Sequence, residues 1–110
     1  MEKTRLTLHQ DLVDALGSSN VYYNPPETLK MEFPAIVYKL DYIDQIHADN
    51  KKYIDWTTYK VTVVSSKPDH PVVKKILNWE MTRFSTNYTR NGFYHYVIIL
   101  KQKEKQICQS

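Results

Sequence analysis

The sequence predicts an α+β domain, with a mostly antiparallel four- to five-stranded sheet, two helices packed on one face and a projecting hairpin arm. Apolar and polar residues alternate with period two in two segments between Phe33 and Val64, which is typical of strands with one buried face. Two other segments, 3–16 and 70–83, carry apolar residues at helical spacing. The dipeptide Asn91-Gly92 is a strong hairpin signal, because both positions tolerate the positive φ of a type I′ turn.

The first helix is predicted over residues 3–16. Its apolar face consists of Leu8, Leu12, Val13 and Leu16. Gly17 stands where a C-terminal cap belongs. Val21–Tyr23 is expected to form a short edge strand, which ends at Pro25 because proline cannot donate to a ladder.

The two alternating segments are predicted to form a hairpin with a long connection, residues 44–55. We expect both strands to continue into the connection and to turn near Asp49, so that an arm projects past the sheet. The candidate interface with a neighbouring subunit consists of Ile46, His47, Asp49, Asn50, Lys51, Lys52 and Tyr53. Ile46 and Tyr53 are poor residues for a free loop, and aromatic anchors carry much of the energy of an interface. Alternatively, these two residues fold back onto their own sheet.

The second helix is predicted over residues 70–83, with Pro71 in its first turn and Asp69 or His70 as its cap. Its predicted core face consists of Val73, Ile76, Leu77 and Phe84. Asn87–Arg90 should pair with Phe93–Leu100, which is apolar on both faces and is therefore placed in the middle of the sheet. The domain is predicted to span residues 1–101, followed by a flexible polar tail, 102–110, that is dispensable for folding.

The face of the sheet opposite the helices is expected to be open to water, because it carries the polar residues Thr58, Lys60 and Thr62. The net charge of the 110-residue chain is +3, and Lys101, Lys103 and Lys105 account for that excess. The body is therefore neutral, which makes a nucleic-acid footprint weak. The N-terminus lacks an apolar signal segment and the longest apolar run is short, so a soluble cytoplasmic product is expected.

No pattern of catalytic or metal-binding residues stands out. The single cysteine, Cys108, excludes a disulfide framework within one chain and favours a reducing compartment. None of the four histidines, His9, His47, His70 and His95, has the i, i+4 spacing of a helical zinc site. Nor do Asp41, Asp44, Asp49 and Asp55 match a calcium loop. We expect no catalytic residue, metal or cofactor.

A nucleic-acid platform needs aromatic residues and cations on one strand face. The nearest candidates are Tyr53, Trp56, Tyr59 and Lys60. Tyr59 belongs to the core phase of its strand, whereas Lys60 points the other way. A small nucleic-acid-binding regulatory protein and a small enzyme of unknown type stay open as alternatives.

Four segments together, 33–38, 48–53, 59–64 and 91–96, carry a resemblance to a known family. In their order and spacing they resemble the tail-completion proteins (tail terminators or tail-to-head joining proteins) of long-tailed bacteriophages, over residues 33–100. The resemblance implies a structural virion protein of the tail and neck, assembled in the host cytoplasm as a hexameric ring that caps the tail tube. The implied partners are copies of itself, the tail tube protein and a head-completion or connector protein. It implies no catalysis, no membrane and no specific nucleic acid, although DNA passes through the ring.

Overall fold

The computed structural model describes residues 4–26, 29–46 and 54–105. The elements, in chain order, are α1 (Arg5–Leu16), β1 (Val21–Tyr23), β2 (Ala35–Ile46), β3 (Ile54–Ser65), α2 (Pro71–Leu77), β4 (Thr82–Arg90) and β5 (Phe93–Lys105). The strands form one sheet in the order β1-β2-β3-β5-β4. Only β1 and β2 pair in parallel; the other three pairings are antiparallel. The predicted α+β class is confirmed, whereas the turn of the predicted arm, residues 47–53, lies outside the described residues.

Local sequence signals set the ends of both helices. The Thr4 hydroxyl accepts a hydrogen bond from the Thr7 amide at the start of α1, and Gly17 ends that helix with a φ of 78°. The His70 side chain accepts from the Val72 amide at the start of α2. These side chains satisfy amides that have no partner within the helix. The predicted caps at Gly17 and His70 are confirmed.

The predicted length of the second helix is wrong, because α2 ends at Leu77 rather than near residue 83. The Thr82 side-chain oxygen lies 2.9 Å from the Trp79 carbonyl oxygen and 3.3 Å from those of Ile76 and Leu77. The hydroxyl has one proton, so its shortest contact, to the Trp79 carbonyl, is the best hydrogen bond, and it closes the turn that follows the helix. The chain then enters β4, so Phe84, expected in the core face of the helix, is a strand residue with 45% of its surface exposed.

The hydrophobic core lies between the helices and one face of the sheet. Its buried members from the helices are Leu8, Leu12, Val72, Val73 and Ile76. The sheet contributes Val21, Ile36, Tyr38, Tyr59, Val61, Val63, Ile98 and Leu100. The alternation predicted for β3 is therefore confirmed. β5 is an interior strand, between β3 and β4, whereas β3 is the middle strand of the sheet.

The predicted buried alternation along β2 fails beyond Tyr38. Leu40 and Tyr42 are 42% and 51% exposed. A register shift between them leaves Asp41 as an extra residue, so Leu40 is opposite Tyr59 and Tyr42 is opposite Thr58. A bulge of this kind moves the following side chains to the other face of the sheet. Tyr42 therefore leaves the face that the helices cover.

The predicted boundary of the C-terminal tail is also corrected. β5 continues through Gln102 to Lys105 and pairs there with Ile54–Thr57 of β3. Gln102 is 8% exposed, and its side-chain amide donates to the carbonyl of Thr4 at 3.1 Å. A polar residue is buried here because its hydrogen bond is satisfied. Residues 106–110 lie outside the described part of the chain.

Tyr38 joins α1 to the centre of the core. Its hydroxyl lies 2.7 Å from Nδ1 of His9, and its ring contacts those of Tyr23 and Tyr59. Burial raises the pKa of Tyr38, an effect that nearby Arg5 partly opposes. The buried hydroxyl is therefore neutral at physiological pH.

Ending the chain after Lys101 should destabilise it relative to a chain that ends after Lys105. The shorter chain loses the strand pairing of residues 102–105 and the bond from Gln102 to Thr4. Each net hydrogen bond adds about 1 kcal/mol, and the backbone entropy of ordering these residues, about 1–2 kcal/mol each, opposes it. We expect a net loss of roughly 1–2 kcal/mol, and each kcal/mol lowers the melting temperature by about 4–8 °C. Thermal melts of the two truncated chains measure it. Equal melting temperatures would show that residues 102–105 of β5 add no stability.

Replacing Tyr38 by Phe should lower the free energy of unfolding by about 1 kcal/mol at neutral pH, because the bond to His9 is lost. The pH dependence should change as well. Since the folded-state pKa of Tyr38 is raised, its stabilising contribution is complete below the ordinary tyrosine pKa of about 10 and is lost as the pH rises through the folded-state value. Urea unfolding should therefore show a shallower alkaline decline for Tyr38→Phe than for the native chain or for the exposed control Tyr42→Phe. Identical declines would contradict the role given to Tyr38.

Candidate interface on the sheet

The helices leave one face of the sheet uncovered; this face is called the open face below. The registers place its side chains in rows that cross the strands. Each row crosses the strands in the order β2, β3, β5, β4. The first row, at one end of the sheet, runs from β3 to β4 and is Val64-His95-Tyr88. The next two cross all four strands and the last two run from β2 to β5; in order they are Val37-Thr62-Val97-Thr86, Lys39-Lys60-Ile99-Arg83, Tyr42-Thr58-Lys101 and Asp44-Trp56-Lys103. The first three rows form the floor of a shallow surface, whereas the last two extend beyond β4.

A groove of about 550 Å³ lies over the first three rows, with Asn24, Pro25 and Met31 at one rim. The segment that carries this rim is fixed to the sheet, because the Asn24 amide donates to the Tyr38 carbonyl. Further along the same segment, the Phe33 ring lies 4.4 Å from that of Phe93. The open face is therefore partly enclosed at this end and bare at the other.

The expectation that Thr58 faces water is wrong. Thr58 is 1% exposed, and its hydroxyl has no hydrogen-bond partner among the described residues. It lies between Tyr42 and Lys101 of the neighbouring strands, whose long side chains flank it. Lys60 and Thr62 are half-buried in the groove.

The third row concentrates positive charge. Lys39 lies directly opposite Lys60, and Arg83 lies one strand beyond the Ile99 that pairs with Lys60. Lys101 and Lys103 follow on β5, and Arg90 lies at the far end of β4 opposite Phe93. Among the charged side chains that the structure describes on these strands, Asp44 is the one carboxylate in the rows of the open face. Like charges directly opposite each other destabilise a sheet, so folding does not explain this arrangement.

Two aromatic side chains of the open face make ring contacts with neighbouring side chains. The Tyr88 ring is stacked on His95, with centroids 4.6 Å apart and an angle of 11° between the planes. The Lys101 ammonium lies 5.4 Å from the centroid of the Trp56 ring, a cation–π contact. These contacts order the side chains and leave their polar ends at the surface.

The two edges of the sheet expose apolar residues. β4 forms one edge, with Phe84 and Tyr88 exposed. At the other edge β1 covers residues 36–38 of β2. Beyond Tyr38, β2 has no further neighbour on that side among the described strands, and Leu40, Tyr42 and Ile43 are exposed there. Large apolar side chains beside an unpaired strand edge are typical of surfaces that pair with another chain.

The predicted interface of the arm is not tested by these contacts. His47, Asp49, Asn50, Lys51, Lys52 and Tyr53 lie outside the described residues, as does Cys108. Of Ile46 the backbone is described, and it pairs with Ile54 at the end of the hairpin. His95 is a strand residue whose Nδ1 lies 3.2 Å from the Phe93 carbonyl oxygen.

Within residues 4–26, 29–46 and 54–105, no three His, Cys, Asp or Glu side chains gather as metal ligands. No helix in those ranges is long and apolar enough to cross a membrane. No family model matches the chain, and no curated protein matches it.

Sequence reasoning missed the basic row. Lys39 and Lys60 were each placed on the polar side of a strand, but the register that sets them opposite each other belongs to the pairing of two strands and was not predicted. Arg83 was assigned to the outer face of a helix, whereas it lies on β4. The alternation of Thr82, Phe84, Thr86 and Tyr88 was the signal for that strand.

Replacing Lys39 by Gln should raise the free energy of unfolding by about 0.2–1 kcal/mol at low salt, because it removes one of two like charges that lie opposite each other. The matched control, Lys74→Gln on α2, should change it by less than about 0.5 kcal/mol. High salt should remove the difference, since screening weakens exposed charge interactions. Urea titrations at two salt concentrations measure both effects. A destabilised Lys39→Gln would show instead that the aliphatic part of the lysine packs favourably on the sheet.

Proposed function

We propose that this protein is a structural ring subunit, namely a tail-completion (tail terminator) protein of a long-tailed bacteriophage. Copies join edge to edge into a hexameric ring that caps the tail tube and contacts the head-completion or connector protein. The observation that carries the proposal is the pair of different apolar patches at the two opposite edges of one sheet. The resemblance of residues 33–100 to that family supplies the biological setting.

The two patches favour a ring over a symmetric dimer. A two-fold dimer uses one self-complementary patch on both subunits, and its second patch would stay exposed. A contact between two different patches is heterologous, and repetition of it closes into a ring when the rotation permits. Phe84 on β4 and Ile43 on the part of β2 that extends past β1 lie at opposite edges of the sheet, as a head-to-tail contact requires.

The backbone at these edges supports the same association. The outward side of β4, and of β2 beyond Tyr38, has no neighbouring strand among the described residues. Their amides and carbonyls are free to pair with a strand of another copy, which is a common mode of recognition. The surface area that each edge contact buries is small, so the ring should assemble readily only at high concentration or on the tail tube as a template.

The arm is proposed as an additional contact with the neighbouring subunit or the tube, through Ile46, Lys51, Lys52 and Tyr53. It would start from the same end of β2 and β3 that exposes Ile43. A long extension beside an apolar edge enlarges the area that a neighbour can bury. This part of the proposal rests on the sequence of the arm.

Substitutions at the two edges test the head-to-tail arrangement. Ile43→Glu blocks the β2 edge and Phe84→Glu blocks the β4 edge, because a buried unpaired charge is costly. Each variant alone should be monomeric and should form no ring on tail tubes. An equimolar mixture should give one-to-one pairs and nothing larger, because each variant keeps one intact edge. Sedimentation and negative-stain images of the proteins, with and without tubes, distinguish these species.

Leu6→Glu is the matched control, since Leu6 is 70% exposed on a helix rather than on an edge strand. It should assemble like the native chain, and all three variants should keep the native melting temperature within a few degrees. Symmetric dimers that survive both edge substitutions would refute the ring, and so would rings formed by either variant alone.

A further inference from the structure

We infer that the open face binds the phosphate backbone of double-stranded DNA. The residues that carry the inference all belong to one chain, so it does not depend on edge-to-edge assembly. It goes beyond the proposed role of the protein as a cap on the tail tube, because it assigns a ligand to a face that the edge contacts leave uncovered.

Cations on this face are spread over the area rather than paired with acids. Lys39, Lys60 and Arg83 form a row across four strands. At about 4.8 Å between strands the row is roughly 14 Å long, and the Lys101 row lies about 7 Å from it. Lys103 and Arg90 extend the charge toward both ends of β5. Among the described residues, none of these six cations forms an ion pair with a carboxylate.

On the open face, cations outnumber carboxylates. It holds six of the fifteen lysines and arginines of the chain, with Asp44 as the carboxylate beside them in the described rows. A net charge of +3 for the whole chain therefore conceals a polarised molecule. Such a surface attracts a polyanion and raises its rate of association.

Polar side chains between the cations also suit a phosphate backbone. Thr62 and Thr86 lie in the row next to Lys60 and Arg83. Threonine hydroxyls and Lys or Arg side chains are common donors to phosphate oxygens. The shallow groove above them is open, so a long ligand can cross it without being enclosed.

Aromatic contacts favour a duplex over a single strand. Proteins that bind single strands stack the bases on free aromatic faces. Here one face of the Tyr88 ring is stacked on His95 and one face of the Trp56 ring lies against Lys101. Two of the three Tyr and Trp side chains in the rows therefore have reduced access, and Tyr42, the third, is 51% exposed. Contact through phosphates needs no free ring, so the arrangement suits a nucleic acid whose bases stay paired.

Binding should be weak, independent of sequence and strongly dependent on salt. Non-specific complexes have dissociation constants of about 10⁻⁴–10⁻⁶ M at physiological salt, and each neutralised phosphate adds about −0.9 to the slope of log K against log salt. Contacts from all six cations would give a slope of about −5.

The test uses the full chain, a short fluorescent DNA duplex of mixed sequence and anisotropy titrations between about 50 and 200 mM salt. Lys39→Gln/Lys60→Gln should reduce the slope by about 2 and weaken binding roughly fiftyfold at 0.1 M salt. The control, Lys67→Gln/Lys74→Gln, removes the same charge from exposed positions in a loop and on α2, and should bind like the native chain. Equal losses in both double variants would overturn the inference, because net charge alone would then account for binding.

Competitors test the choice of ligand. Unlabelled duplex should displace the probe at lower phosphate concentration than a single strand of the same sequence or polyglutamate. Tighter binding of the single strand, or equal displacement by polyglutamate, would overturn the assignment to duplex DNA. The two proposals fail separately: Ile43→Glu and Phe84→Glu should still bind the duplex, while Lys39→Gln/Lys60→Gln should still form rings on tubes.

Discussion

The alternation of side chains along β3 is the constraint on which the other features depend. β3 pairs along its whole length with β5 and, apart from the bulge at Asp41, with β2. Its odd-numbered residues, such as Tyr59 and Val61, enter the helix-covered core, so the even-numbered residues must form the open face. A slip of one residue would exchange the faces and bury Lys60 under the helices. The cost of an unpaired buried charge therefore fixes the register, and the register fixes the basic row.

The two helices are too short to cover the sheet that they pack against. α1 has 12 residues and α2 has 7, while β2, β3 and β5 have 12 to 13 each. At about 1.5 Å per helical residue and 3.3 Å per strand residue, the strands extend well beyond the helices. The outer half of β2 is therefore exposed on both faces, and a bulge that would disturb a covered strand is tolerated at Asp41.

The sequence was sufficient for elements that local chemistry determines. Gly17, His70 and the Asn91-Gly92 turn act within a few residues, and the alternation of β3 follows from its own side chains. The end of α2 was not predicted, because apolar residues continue past Leu77 to Phe84, whereas Met81 adopts a φ of 62° and the chain enters β4 directly after it. Gln102 was assigned to a flexible tail since its partner, the Thr4 carbonyl, is at the other end of the chain. The basic row needed the pairing of four strands, which no single segment encodes.

The edges and the open face use different parts of the same strands, and this makes the two proposed contacts compatible. Edge pairing uses backbone groups in the plane of the sheet, whereas the open face presents side chains perpendicular to it. A ring closed through the edges would set the basic faces of its subunits on one side of a continuous surface. Their charges would then repel each other across each contact, as Lys39 and Lys60 already do within one chain. Phosphates bound to that surface would relieve the repulsion, so DNA binding and ring closure would stabilise each other by linkage, although each contact forms through its own residues.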